Sequence, residues 1–169
     1  MFKWYDRIFI TISILLIGFA IGITFKLIYN YAAKKPNYWV NPPILVNCIG
    51  EELKENTIKR AVEYWEDKGE KILFYQYEPI DSICNSDNRY RGIIVIKKGV
   101  DLPEATLAQT SIQSSINNIV RADINFREGT YNYILLLEHE LGHAFGYKHT
   151  YYPEHIMHPY YDYMGDKFW

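Results

Sequence analysis

Five residues at fixed intervals near the C-terminal end set the tightest limit on what this chain can become. They are His139, Glu140, His143, Gly146 and His149, in the stretch "HELGHAFGYKH". The chain has no histidine outside this neighbourhood; the other two are His155 and His158. His139 and His143 are four apart, so on a helix they stand one turn above the other on the same face. Two imidazoles placed that way can share one ion. Glu140 lies about 100° around the helix from His139, able to reach a water on the ion without displacing it. Gly146 can take a left-handed conformation, end the helix and turn the chain sharply. His149 can then swing back as a third ligand. Three histidines and a water make the open tetrahedral site of catalytic zinc, not the closed four-ligand site of a structural one. At this composition the five-position pattern arises by chance on the order of once in 10⁵ chains of this length. A buried helix with idle histidines is set aside on that ground.

The other end of the chain carries a different constraint. From Ile8 to Phe25 the sequence "IFITISILLIGFAIGITF" contains no charged residue, about the length needed to cross a bilayer as a helix. A cleaved signal peptide would have a shorter apolar region followed by a small-residue site, and Tyr31-Ala32-Ala33 is a poor one. We therefore expect a single transmembrane helix at about 8–28 within an N-terminal segment 1–29. Lys3 and Arg7, offset by Asp6, precede the run, and Lys26, Lys34 and Lys35 follow it. The positive-inside rule gives no clean orientation from these. The expectation carried forward is a single-pass anchor with the folded domain on the extracytoplasmic side.

Residues 30–43 read as a linker, because Pro36, Pro42 and Pro43 oppose regular structure. Within 44–169, "ILVNC" reads as a strand. "EELKENTIKRAVEYWEDKG" reads as a helix, with Leu53, Ile58, Ala61, Val62 and Trp65 on one face and Gly69 ending it. "KILFYQYEPI" is a second strand, "DSICNSDNRY" a loop, and "RGIIVIKKG" an interior strand with a continuous apolar run. "ATLAQTSIQ" and "NIVRADINF" follow as strands, then "YNYILLLEHELGHAFG" as a helix. The order gives a mixed α/β (α+β) class with both helices on the sheet.

Composition narrows the function classes. The net charge of −2 and pI near 6.2 lack the basic excess of a nucleic-acid binder. Cys48 and Cys84 have no metal-ribbon spacing. A disulfide between them and a pair of buried free thiols both stand open.

The quoted motif resembles the zinc signature of the metzincin metalloproteases, and "HIMHP" resembles their Met-turn, with Met157 beneath the metal. "PEHIMHPYY" is similar to the matrixin branch at Pro153, Glu154, Met157, Pro159 and Tyr161. "AVEYWED" resembles the first matrixin helix through Ala61 and Trp65, "TLAQTS" the substrate-binding edge strand, and "ADINF" the strand before the active-site helix. The resemblance covers roughly Ile44 to Tyr161 and implies a metzincin-like zincin: a mixed, mostly parallel, twisted five-stranded sheet, two main helices and a Met-turn. It implies a zinc-dependent endopeptidase acting on peptide or protein substrates. His139, His143 and His149 would hold one catalytic zinc ion, and Glu140 would act as general base on its water. Leu107 and Ala108 would bind the extended substrate, while Pro159 and Tyr161 would line the S1′ pocket.

There are departures from the family pattern. With no histidine elsewhere, no structural zinc site is expected, and no acidic cluster matches a calcium loop. Neither a cysteine-switch segment nor room for a prodomain is found, and the stretch after the Met-turn is too short for the family's long C-terminal helix. His155 and His158 lack ligand spacing and read as surface residues or as neighbours of the ligands. A membrane-tethered zinc protein without proteolytic activity is the competing reading; it predicts loss of Glu140 or of a histidine.

Overall fold

The computed structural model describes residues 37–86 and 90–168. The expected anchor and the linker as far as Pro36 lie outside them. Among the described residues no helix is long and apolar enough to cross a membrane.

Six strands form one sheet. Strands β2 (Ile44–Asn47), β3 (Phe74–Gln76), β4 (Ile93–Lys98) and β6 (Asn118–Phe126) run parallel in the order β3-β2-β4-β6. β5 (Ala108–Ser115) pairs antiparallel with β6. The sixth strand, β1 (Tyr38–Trp39), falls in the stretch read as linker and pairs in parallel with Asn118 and Ile119. The flanking prolines do not prevent this, because they border the two paired residues without replacing either donor. All five expected strands are present, though β3 keeps only three residues of "KILFYQYEPI".

Paired residues on neighbouring parallel strands share a face, so register separates the two sides of the sheet. Leu45, Ile94, Ile96, Ala122 and Ile124 are buried in the main core. On the other face Arg121 and Asp123 are buried beside Ile93 and Val95. The Arg121 guanidinium donates to both Asp123 carboxylate oxygens at 2.8 Å, and Lys97 Nζ lies 3.1 Å from Oδ1. Burial pushes the Asp123 carboxyl up, but hydrogen bonds from Arg121 and Lys97 outweigh it and hold the group below the usual range.

Helix α1 (Glu55–Asp67) buries Ile58, Ala61, Val62 and Trp65, the face read from periodicity. Trp65 is wholly buried. Sinking an indole removes on the order of 200 Å² from water, roughly 5 kcal/mol. Its Nε1 donates to Glu138 O at 2.6 Å, and Arg60 Nε donates to Glu138 Oε1 at 2.5 Å, tying α1 to the later helix. Asn132 supplies the polar cap that α1 lacks: its Oδ1 accepts from Lys54 N at 2.9 Å and Thr57 Oγ1 at 3.1 Å.

The loop "DSICNSDNRY" contains a one-turn helix, α2 (Asp81–Cys84). Cys84 forms a disulfide with Cys48, which resolves the open alternative; no described cysteine is free. The last helix, α3, spans only Leu136–Ala144. Residues 131–135, read as its first turns, form turns with Leu135 in the left-handed region at φ 65°. Asn132 is drawn to the start of α1, and the apolar residues around it reflect packing of a loop rather than helical periodicity.

Candidate active site

Helix α3 carries His139 and His143 on one face, as their spacing requires. The chain then leaves the helix through Phe145 and Gly146, whose φ of 94° only glycine adopts at little cost. A Cβ there would also meet Asn37 O at 2.5 Å. The turn returns His149 to the first two histidines. The three Nε2 atoms lie 3.1 Å (His143 to His139), 2.9 Å (His143 to His149) and 3.3 Å (His149 to His139) apart. A tetrahedral zinc ~2.0–2.1 Å from each nitrogen would hold them roughly 3.3 Å apart.

The second nitrogens define the tautomers. His139 Nδ1 donates to Ile156 O and His143 Nδ1 to Tyr147 O, both at 2.8 Å. The Nε2 atoms of His139 and His143 therefore present lone pairs toward the cluster, the arrangement of metal ligands braced by backbone carbonyls. Three imidazole nitrogens this close are spaced to share one cation. Burial, followed by the neighbouring His143, pushes His139 down to about 3; burial likewise takes His143 down to about 4 and lowers His149. The set stays neutral and ready to bind at physiological pH. Among the described residues, these three form the group able to hold a metal ion.

Glu140 is buried and faces the same cleft. Burial pushes its carboxyl up to about 7, against the pull of the Thr110 hydroxyl. Thr110 Oγ1 lies 2.5 Å from Glu140 Oε2 and 3.1 Å from Glu140 O. Sequence reading passed over Thr110 as one residue of the edge strand. Strand alternation could have signalled it, since Ala108 and Thr110 share a face of β5.

The cleft has a volume of about 800 Å³. Leu107, Ala108, Leu136, Pro159 and Tyr161 all line it. Leu107 lies just before β5, which begins at Ala108. Tyr161 is fixed by its hydroxyl donating to Ile134 O at 3.0 Å and by the Tyr133 ring at 5.7 Å.

Met157 is buried under α3, where a Cβ on Gly142 would come within 2.3 Å of its Sδ and 2.6 Å of Trp65 Cζ2. The helix therefore needs glycine between the two histidines. His155 and His158 are buried, which removes the surface alternative and leaves them as neighbours of the ligands: His155 acts on His139 and His158 on His149. His155 Nδ1 accepts from Met157 N at 2.9 Å, so this ring shapes the turn beneath the site. The chain's last described residues fold back on that turn, with Ile156 N donating to Lys167 O and Phe168 stacked edge-on against Trp65.

The family model that matches this chain is described as Matrixin and covers residues 47–168. No curated protein matches the chain.

Proposed function

The chain belongs to the matrixin family of zinc-dependent metalloproteases, and from that premise we propose that it is an endopeptidase in which Glu140 is the general base. One observation carries the reading: three neutral histidines converge through Nε2 in a cleft that also receives the buried Glu140 carboxylate.

Zinc held by His139, His143 and His149 would supply Lewis acidity, polarising a peptide carbonyl and acidifying a water. The rest belongs to the chain's own side chains. An extended peptide would pair along Leu107–Ser111, whose outer edge has no partner strand among the described residues. Glu140 would take the proton of the attacking water and pass it to the leaving amine. Its raised pKa suits a group that must hold and release a proton near neutral pH. Pro159 and Tyr161 would form the wall of the S1′ pocket, and Met157 its supporting floor under the ligands.

The disulfide supports an oxidising compartment. With the apolar run Ile8–Phe25, this favours a membrane-anchored enzyme whose domain faces the extracytoplasmic side.

The test is cleavage of a quenched peptide library by the zinc-loaded full chain, beside Glu140→Ala. We expect cleavage by the parent, a loss of at least about a hundredfold in the variant, and one zinc per chain in both. Stoichiometric zinc with no cleavage by either would favour the non-proteolytic reading.

A further inference from the structure

The parallel strands all start along one rim of the sheet. Tyr38 pairs with Asn118, Ile44 with both Phe74 and Ile93, and Ile93 with Arg121. The segments that enter these strands are laced together there. Tyr38 N donates to Asn117 O at 3.1 Å, Ile44 N to Gly92 O at 2.9 Å, and Leu73 N to Pro43 O at 2.9 Å.

Such a rim would ordinarily be polar turn. Here Ile116 is 93% exposed, Val40 64%, Leu73 63% and Phe74 50%, with Tyr38 and Tyr90 also exposed. Ile116 is the most telling of them. It occupies the tip of the β5–β6 hairpin at φ 60°, a conformation that a β-branched residue adopts only with strain and that Asn or Gly would take freely. It gains almost no packing from the described residues in return. A residue that is both strained and bare contributes nothing to this fold, so its use lies outside it.

Charge agrees with this. The four segments 37–43, 71–74, 90–92 and 115–118 contain Lys71 and Arg91 and no carboxylate. Glu70, beside the second segment, is engaged by the Tyr147 hydroxyl at 2.7 Å. The described chain begins on this rim at Asn37, and the sequence before it includes the uncharged run Ile8–Phe25 followed by Lys26, Lys34 and Lys35.

We propose that this rim is a lipid-contacting face, which sets Ile116, Val40, Leu73 and Phe74 into the interfacial layer of an anionic phospholipid bilayer. Tyr38 and Tyr90 have the amphipathic rings that favour the headgroup level, and Lys71 and Arg91 meet lipid phosphates. Asn37 belongs both to the rim and to the cleft wall, so one end of the cleft opens beside the lipid surface. The polypeptides it could take are then segments close to a bilayer. The inference rests on the anchor reading and is independent of the peptidase reading.

The test uses the full chain in phosphatidylcholine–phosphatidylglycerol vesicles, with one fluorophore on Ile116→Cys or on Val100→Cys. Val100 is 83% exposed just past the far end of β4. Nitroxide-labelled lipid should quench position 116 roughly threefold or more above position 100, with iodide in the water showing the opposite order. Equal lipid quenching at both positions overturns the proposal. So does a position 116 hidden from iodide yet untouched by labelled lipid, which would mark contact with a second copy of the chain. A chain that fails to float with the vesicles overturns the anchor reading and this one with it; flotation without selective quenching overturns this one alone.

Discussion

Thr110 joins the strand that flanks the cleft to the carboxylate inside it. Its one hydroxyl has two acceptors on the same residue, Glu140 Oε2 and Glu140 O. When the carboxylate is ionised the hydroxyl donates to it. When Glu140 holds the proton, the hydroxyl can turn to the main-chain oxygen and accept from the acid instead. In the proposed reaction Thr110 would position Glu140 through both halves of its proton transfer. Thr110→Val should lower kcat by about tenfold or more with KM little changed, since a hydrogen bond to a charged group is worth ~1.5–3 kcal/mol. Thr110→Ser should recover most of the loss. Steady-state kinetics of the three proteins checks this, and an unchanged kcat in the valine variant would remove Thr110 from the mechanism. At this scale the sequence revealed whatever local periodicity encodes. His139, His143 and Glu140 are related by one helix, and Gly146 by the turn that closes it. Thr110 escaped notice because its partner lies thirty residues away on helix α3. His155 escaped because nothing local says that its ring accepts a bond from the turn it precedes.

Strands and helices were legible in proportion to how much of their burial pattern is regular. Helix α1 shows a clean apolar face, and β4 a run buried on both sides. The start of α3 was misplaced because residues 131–135 are as apolar as the helix, though Leu135 is left-handed and Asn132 serves α1. Between β4 and β6 lies a buried cluster that sequence alone shows only as charges two apart. Arg121, Asp123 and Lys97 make the pairing of these strands sensitive to acid. The Asp123 carboxyl titrates lower in the folded chain than in the unfolded one. Its contribution is therefore fully present above the unfolded value near ~3.9 and disappears as pH falls through the folded one. Urea midpoints measured from neutral pH downward should fall across that window. Asp123→Asn should start lower, by about 3–5 kcal/mol for a buried cation left unpaired, and should lack that part of the slope. Parallel slopes in the two proteins would show that other carboxylates govern acid unfolding.

Across the whole domain, the disulfide links the end of β2 to the short helix α2, 36 residues on. Closing a loop of that length restricts the unfolded chain by roughly 4 kcal/mol in the chain-entropy account. Cys48→Ser with Cys84→Ser should lower the melting temperature by many degrees, and dithiothreitol should do the same to the parent but not to the variant. Identical melting of parent and variant would deny the bridge a part in stability.

The entry of the chain has a mechanical side as well. Asn37 O packs on Gly146, and the Trp39 indole donates to Ala144 O at 2.9 Å. Any tension applied through the residues before Asn37 is therefore loaded onto a two-residue strand and onto the turn between the second and third histidines. The start of the described chain and the turn that brings His149 to the other two histidines thus share a single joint.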